Sequence, residues 1–170
     1  MMKKLTYLLI TFMVVFALAT PSLAATKEFV ADLSGANEVP PRVTDASGSA
    51  TFNIGHRNDA LTMSYILRVT NIQNVAAAHI HCAPAGVNGP VGVTLYMAAP
   101  GGGRISGVIA SGEITAPDPG NSCGWITLDD VISAIRKDNA YVNVHTNDGV
   151  DPANTGPGDF PGGEIRGQIQ

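Results

Sequence analysis

Histidine is scarce in this chain of 170 residues, with four copies, and cysteine is scarcer, with two. Tryptophan occurs once, and charged residues make up only 14%. Basic residues are outnumbered, ten Lys and Arg against fourteen Asp and Glu, for a net charge of −4. Nucleic acid and anionic lipid are held by clustered Lys and Arg, so this balance excludes both as the main partner. There is no G-x-S-x-G, no serine-triad arrangement and no phosphate-cradling P-loop. Asp148, Asp151 and Asp159 miss the D-x-[DN]-x-[DN]-G register of a calcium loop and read as a flexible acidic loop.

Long apolar runs are also missing, with one exception. After the basic start MMKK comes LTYLLITFMVVFALAT, closed by Pro21-Ser22-Leu23-Ala24. This is the three-part layout of a secretory signal peptide, and cleavage is expected between Ala24 and Ala25. A run of about 16 apolar residues is short for a membrane span. Residues 25–170 then form a single exported domain, periplasmic or secreted, with no membrane span after cleavage. Lys3 and Lys4 leave with the leader, so the remainder is more acidic still. Both cysteines, Cys82 and Cys123, fall in the exported part, where an even pair suggests one disulfide. A free Cys82 beside two histidines would instead be a soft metal ligand.

What the chain has in plenty is alternation. Leu61, Met63, Tyr65, Leu67 and Val69 alternate with polar or outward positions, the pattern of a half-buried strand. Similar runs appear at 27–34, 47–54, 76–82, 91–97, 105–115, 141–146 and 163–169, separated by Gly, Pro, Asn and Asp clusters. About eight short strands in one domain predict an antiparallel β-sandwich or barrel. One segment departs from period two. In TLDDVISAIRKDNA, Leu128, Val131, Ile132 and Ile135 recur at helical spacing, predicting one short helix near 127–137. Thr127 and Asp130 fit a capping box, and Ile126 with Val131 fits a hydrophobic staple.

The scarce histidines are not scattered. Residues 77–86 read AAHIHCAPAG, and 139–146 read NAYVNVHT. Side chains i and i+2 of a strand share a face, so His79 and His81 point together while Ile80 and Cys82 point the other way. By the same parity Val142 and Val144 face the core, and Tyr141, Asn143 and His145 face away from it. If the two strands are neighbours, His79, His81 and His145 converge outside the core. Three neutral imidazoles with an open position form a site for zinc or copper. The alternative is three solvated histidines shaping polar loops. His56, in the turn-like IGHRNDA, reads as a solvated loop residue. Glu164 and Arg166 share a strand face and can pair with each other.

Several segments together resemble the CHRD (chordin-type) domain family: LSGANEVPP (33–41), SGSATF (47–52), AAHIHCAPAGVNGPV (77–91), NAYVNVHT (139–146) and GGEIRGQI (162–169). The resemblance implies a secreted β domain without agreed catalytic activity, in a family that includes an extracellular binder of growth factors. The order of features is also similar to the Cu/Zn superoxide dismutase fold, an eight-stranded Greek-key barrel. That resemblance matches His79, His81 and His145 to three copper ligands and implies copper ahead of zinc, one ion. The chain departs from it in lacking a bridging histidine, a zinc cluster and a clear match for the guiding arginine, since Gly162 and Gly163 fall in that region. The CHRD resemblance also places the H-x-H segment near the loop before the helix, which favours a Cys82–Cys123 bridge. The expectation is thus a non-catalytic exported module binding a metal ion or an extracellular protein partner through a His79/His81/His145 face. A copper-dependent oxidoreductase of dismutase type, or a structural or adhesive extracellular domain, are the alternatives.

Overall fold

A computed structural model describes residues 28–170, so the expected leader lies outside the described residues. Eight strands form one antiparallel sheet: β1 (Glu28–Ser34), β2 (Ser47–Arg57), β3 (Ala60–Gln73), β4 (Val75–His81), β5 (Val91–Met97), β6 (Arg104–Ile114), β7 (Tyr141–Thr146) and β8 (Ile165–Gln168). Each lies on a run where alternation predicts a strand. The spatial order is β5-β4-β7-β8-β1-β2-β3-β6, and every paired neighbour is antiparallel. Neighbours such as β4 with β7 and β3 with β6 are distant in sequence, the long crossovers of a Greek key. The sheet curls almost into a barrel. On its closing side the Tyr65 hydroxyl of β3 donates to the Leu95 carbonyl of β5 at 2.8 Å.

Alternation decides what fills the interior. Phe29, Ala31 and Leu33 of β1 are buried while their strand neighbours Val30 and Asp32 are exposed. Ala50 and Phe52, Leu67 and Val69, Ile80, Val142, Val144 and Ile165 join them in one core. Fully burying an aliphatic or phenyl side chain contributes about 1.5–3 kcal/mol, so this inward set carries most of the fold's stabilisation. The helix α1 (Leu128–Arg136) adds Leu128, Val131, Ile132 and Ile135 to the same core. Its start is held by Asp130, whose carboxylate accepts from the backbone N–H groups of Ile126 and Thr127 at 2.9 and 2.8 Å. The staple does not form: Val131 is buried, whereas Ile126 is 84% exposed and points to solvent. His56 is exposed but sits within β2 rather than in a loop.

Two features of the sheet aim side chains at the outer face. β4 lies between β5 and β7, pairing His79 with Asn143, His81 with Tyr141 and Ala77 with His145 on the β7 side. On the β5 side the register slips between Ala78 and His79 and again between Ile80 and His81. Irregularities of this kind bend a strand and re-aim the residues beside them. Among the described residues, no helix is long and apolar enough to cross a membrane.

Candidate functional site

The pairing of β4 with β7 brings His79, His81 and His145 together, with one ring nitrogen from each lying within 4.8 Å of the others. Core demand does the aiming: Ile80, Val142 and Val144 are completely buried, which forces the histidines to the other face. That face is only partly open to solvent. Loops cover it, and His81 is only 7% exposed, while His79 and His145 are half-buried. Parity places the three histidines together outside the core, as observed, but says nothing of loops folded over that face.

Two of the rings are fixed by backbone carbonyls. His81 Nδ1 lies 2.9 Å from the Gly89 carbonyl, and His145 Nδ1 lies 2.9 Å from that of Pro161. A carbonyl only accepts, so each Nδ1 carries the proton and each Nε2 of a neutral ring presents a lone pair. Those two Nε2 atoms face each other at 3.4 Å. Two lone pairs do not bond each other; the arrangement calls for a proton or a cation between them. The third ring, His79, has its Nδ1 buried without a hydrogen-bond partner.

Burial keeps the imidazoles neutral. Desolvation pushes His79 down to about 4, helped by His145 and opposed by Asp118. His81 is also pushed to about 4, chiefly by desolvation, against the hydrogen bond to Gly89. His145 is lowered by burial too. Neutral imidazole is the form that ligates metals.

A layer of buried polar residues supports the rings. His81 stacks on Tyr141, with centroids 4.9 Å apart and planes within 9°. The Arg166 guanidinium lies 3.4 Å from the centroid of the same Tyr141 ring. Since β8 and β4 flank β7, the phenol is sandwiched between cation and imidazole. Arg166 is 2% exposed and donates to the carbonyls of Pro84 and Val87 and to Asn88 Oδ1, holding the 82–90 loop over the sheet. That loop supplies Gly89, where a Cβ would sit 2.0 Å from the Cys82 carbonyl oxygen, so only glycine fits. The Cys82–Cys123 disulfide ties the start of this loop to the segment before α1. Cys82 is therefore not a ligand.

Glu164 and Arg166 do not pair. Glu164 is buried and accepts from the Thr44 and Thr146 hydroxyls at 2.6 and 2.7 Å and from the Gly158 N–H at 2.8 Å. Asp159, expected in a flexible loop, is buried and accepts from the Thr155 N–H and hydroxyl. Glu38, which sequence reasoning missed, reaches under the covering loops and accepts from Asn143 Nδ2 at 3.3 Å. Its carboxyl is pushed up to about 7 by burial, against the pull of Arg166, Asn143 and Arg42. The available signal was an acid inside the apolar, proline-flanked segment ANEVPP.

A model of the CHRD domain matches residues 29–169. The chain belongs to the CHRD domain family. No curated protein and no solved structure matches it. The match covers all of β2 to β8 and β1 except Glu28, and includes the three histidines, Glu38 and Arg166, so the polar layer of this CHRD domain lies entirely within the family's span.

Proposed function

We propose that this CHRD domain is an exported, non-catalytic module that binds one metal ion, copper ahead of zinc, through His79, His81 and His145. The observation that carries the reading is the pair of Nε2 lone pairs facing each other at 3.4 Å with both Nδ1 protons committed elsewhere. Nitrogens bound at about 2.0–2.1 Å to a tetrahedral ion lie about 3.3–3.4 Å apart, so these two rings are already at ligand spacing. His79, with its buried unpartnered nitrogen, supplies the third donor after a small closure. Carbonyl partners on the non-ligating nitrogens and a stacked tyrosine are the kind of outer support that holds metal-ligating histidines in place.

The reading places the domain outside the cytoplasm after removal of residues 1–24; a disulfide suits that compartment. An extracellular protein partner is the second reading, favoured by membership of the CHRD family.

The test is loading of the purified exported chain with Cu(II) or Zn(II), desalting, and elemental analysis, alongside His79→Gln/His81→Gln/His145→Gln. One ion per chain in the parent and none in the triple variant is the expected result, with circular dichroism to check that the variant is folded. His81→Ala alone is unsuitable, because loss of a buried ring stacked on Tyr141 also costs packing. A parent chain that retains no metal overturns the reading.

A further inference from the structure

The histidine cluster opens on one side into a cleft of about 330 Å³, lined by His79, His145, Pro161 and Val91 and, at its rim, by Met97. Met97 is 67% exposed, although a thioether gains nothing from water. Its place follows from register. Met97 of β5 pairs with Ala77 of β4, and Ala77 pairs on its other side with His145 of β7. Directly opposed residues in adjacent strands point to the same face, so Met97, Ala77 and His145 form a row across three strands. Strand spacing puts the ends of that row about 10 Å apart. The middle member is a small alanine, and Met97, Ala77 and His145 all line the same cleft, so open space lies above Ala77. An unbranched side chain with three rotatable bonds can swing into that space.

We propose that Met97 is a fourth, soft ligand at the mouth of the cleft and that the site takes copper as Cu(I). This rests on the three-histidine reading above and adds the oxidation state and the residue that selects it. The donor set is then three neutral imidazoles and one neutral thioether, with no carboxylate among the clustered ligands. A partly buried, uncharged set favours the ion of lower charge, because less charge is removed from water. Thioether sulfur binds Cu(I) well and is a poor partner for zinc, so Met97 separates the two metals where the histidines alone do not. Its exposure makes it the first donor an incoming ion meets.

The experiment compares the full exported chain with Met97→Leu, a volume-conserving change at a surface position that leaves the fold intact. Cu(I) affinity is measured anaerobically by competition with a chromogenic chelator, Zn(II) affinity is measured separately, and the copper-loaded protein is examined by X-ray absorption. The expected result is a sulfur neighbour to copper in the parent that Met97→Leu loses, a Cu(I) affinity lowered at least about tenfold, and unchanged Zn(II) binding. Equal Cu(I) affinity in the two chains, or a parent copper shell of nitrogen only, overturns the role of Met97 and leaves the histidine site standing. A parent chain that binds neither ion overturns the histidine site itself.

Discussion

Glutamine in place of Glu38 probes the polar layer without touching the histidines. Glu38 is 4% exposed, and burial lifts its carboxyl from 4.5 to about 7, although Arg166 and Arg42 both favour the ionised form. The folded-state value lies above the unfolded one, so the folded chain holds the extra proton between these two pH values. The stability this residue contributes is complete below pH 4.5 and is lost as pH rises through about 7. At 1.36 kcal/mol per pKa unit, the loss across that window is about 3 kcal/mol. The local geometry gives the proton a use. Glu38 Oε1 and Asn143 Oδ1 are both buried without partners, and both lie within 2.7 Å of the point a Gly163 Cβ would occupy. A protonated Glu38 can serve both oxygens, whereas the carboxylate leaves two acceptors facing each other. The amide of Glu38→Gln supplies that donor at every pH. Urea unfolding of both chains at intervals from pH 4 to 8 should therefore show Glu38→Gln gaining on the parent as pH rises, by about 3 kcal/mol in total. Histidine titration affects both chains alike and cancels in the difference. A difference that stays flat across the range refutes a neutral Glu38.

Two further predictions concern the same loops. Gly163→Ala places a Cβ 2.4 Å from Asn143 Oδ1 and 2.7 Å from Glu38 Oε1 at a φ of +120°, so thermal unfolding should reveal a loss of about 2 kcal/mol or more. An unchanged melting temperature would mean the 160–164 turn is not held as described. Replacing Cys82 and Cys123 with alanine opens a closure of 41 residues, for which chain entropy gives a loss of about 4 kcal/mol. Unfolding free energies of the parent from denaturant titrations with and without reductant should differ by the same amount, and a reductant-insensitive parent would contradict the bridge.

The strands were legible because the interior makes a simple demand. Val142 and Val144 cannot face water, and once they are inward, Tyr141, Asn143 and His145 are outward by covalent geometry alone. The same logic fixed His79 and His81 from Ile80. The helix was legible down to its cap, because Asp130 and Thr127 lie within one turn of each other and their bonds need no tertiary partner. Ile126 shows the limit: the staple spacing was present, but the chain before the helix follows the Cys123 bridge and leaves Ile126 in solvent.

What alternation could not show is that the outward face is itself covered. Periodicity separates side chains that need the core from those that do not. A polar residue at outward parity reads as solvated whether or not a loop later closes over it. Here the loops 35–46, 82–90 and 147–163 do close, and their grip depends on contacts remote in sequence: Arg166 to Val87, Asn88 Nδ2 to the Val39 carbonyl, His145 to Pro161. Burying Arg166, Glu164 and Glu38 costs several kcal/mol each unless their hydrogen-bonding capacity is met. Glu164 and Arg166 each have three donors or acceptors in place, while Glu38 meets the cost by holding its proton. A second, polar core therefore lies on the outside of the sheet, built to hold loops against it. The histidines sit where that layer opens into the cleft, and this explains how one face holds the His81 and His145 rings by backbone carbonyls while His79 and His145 still line an open cleft.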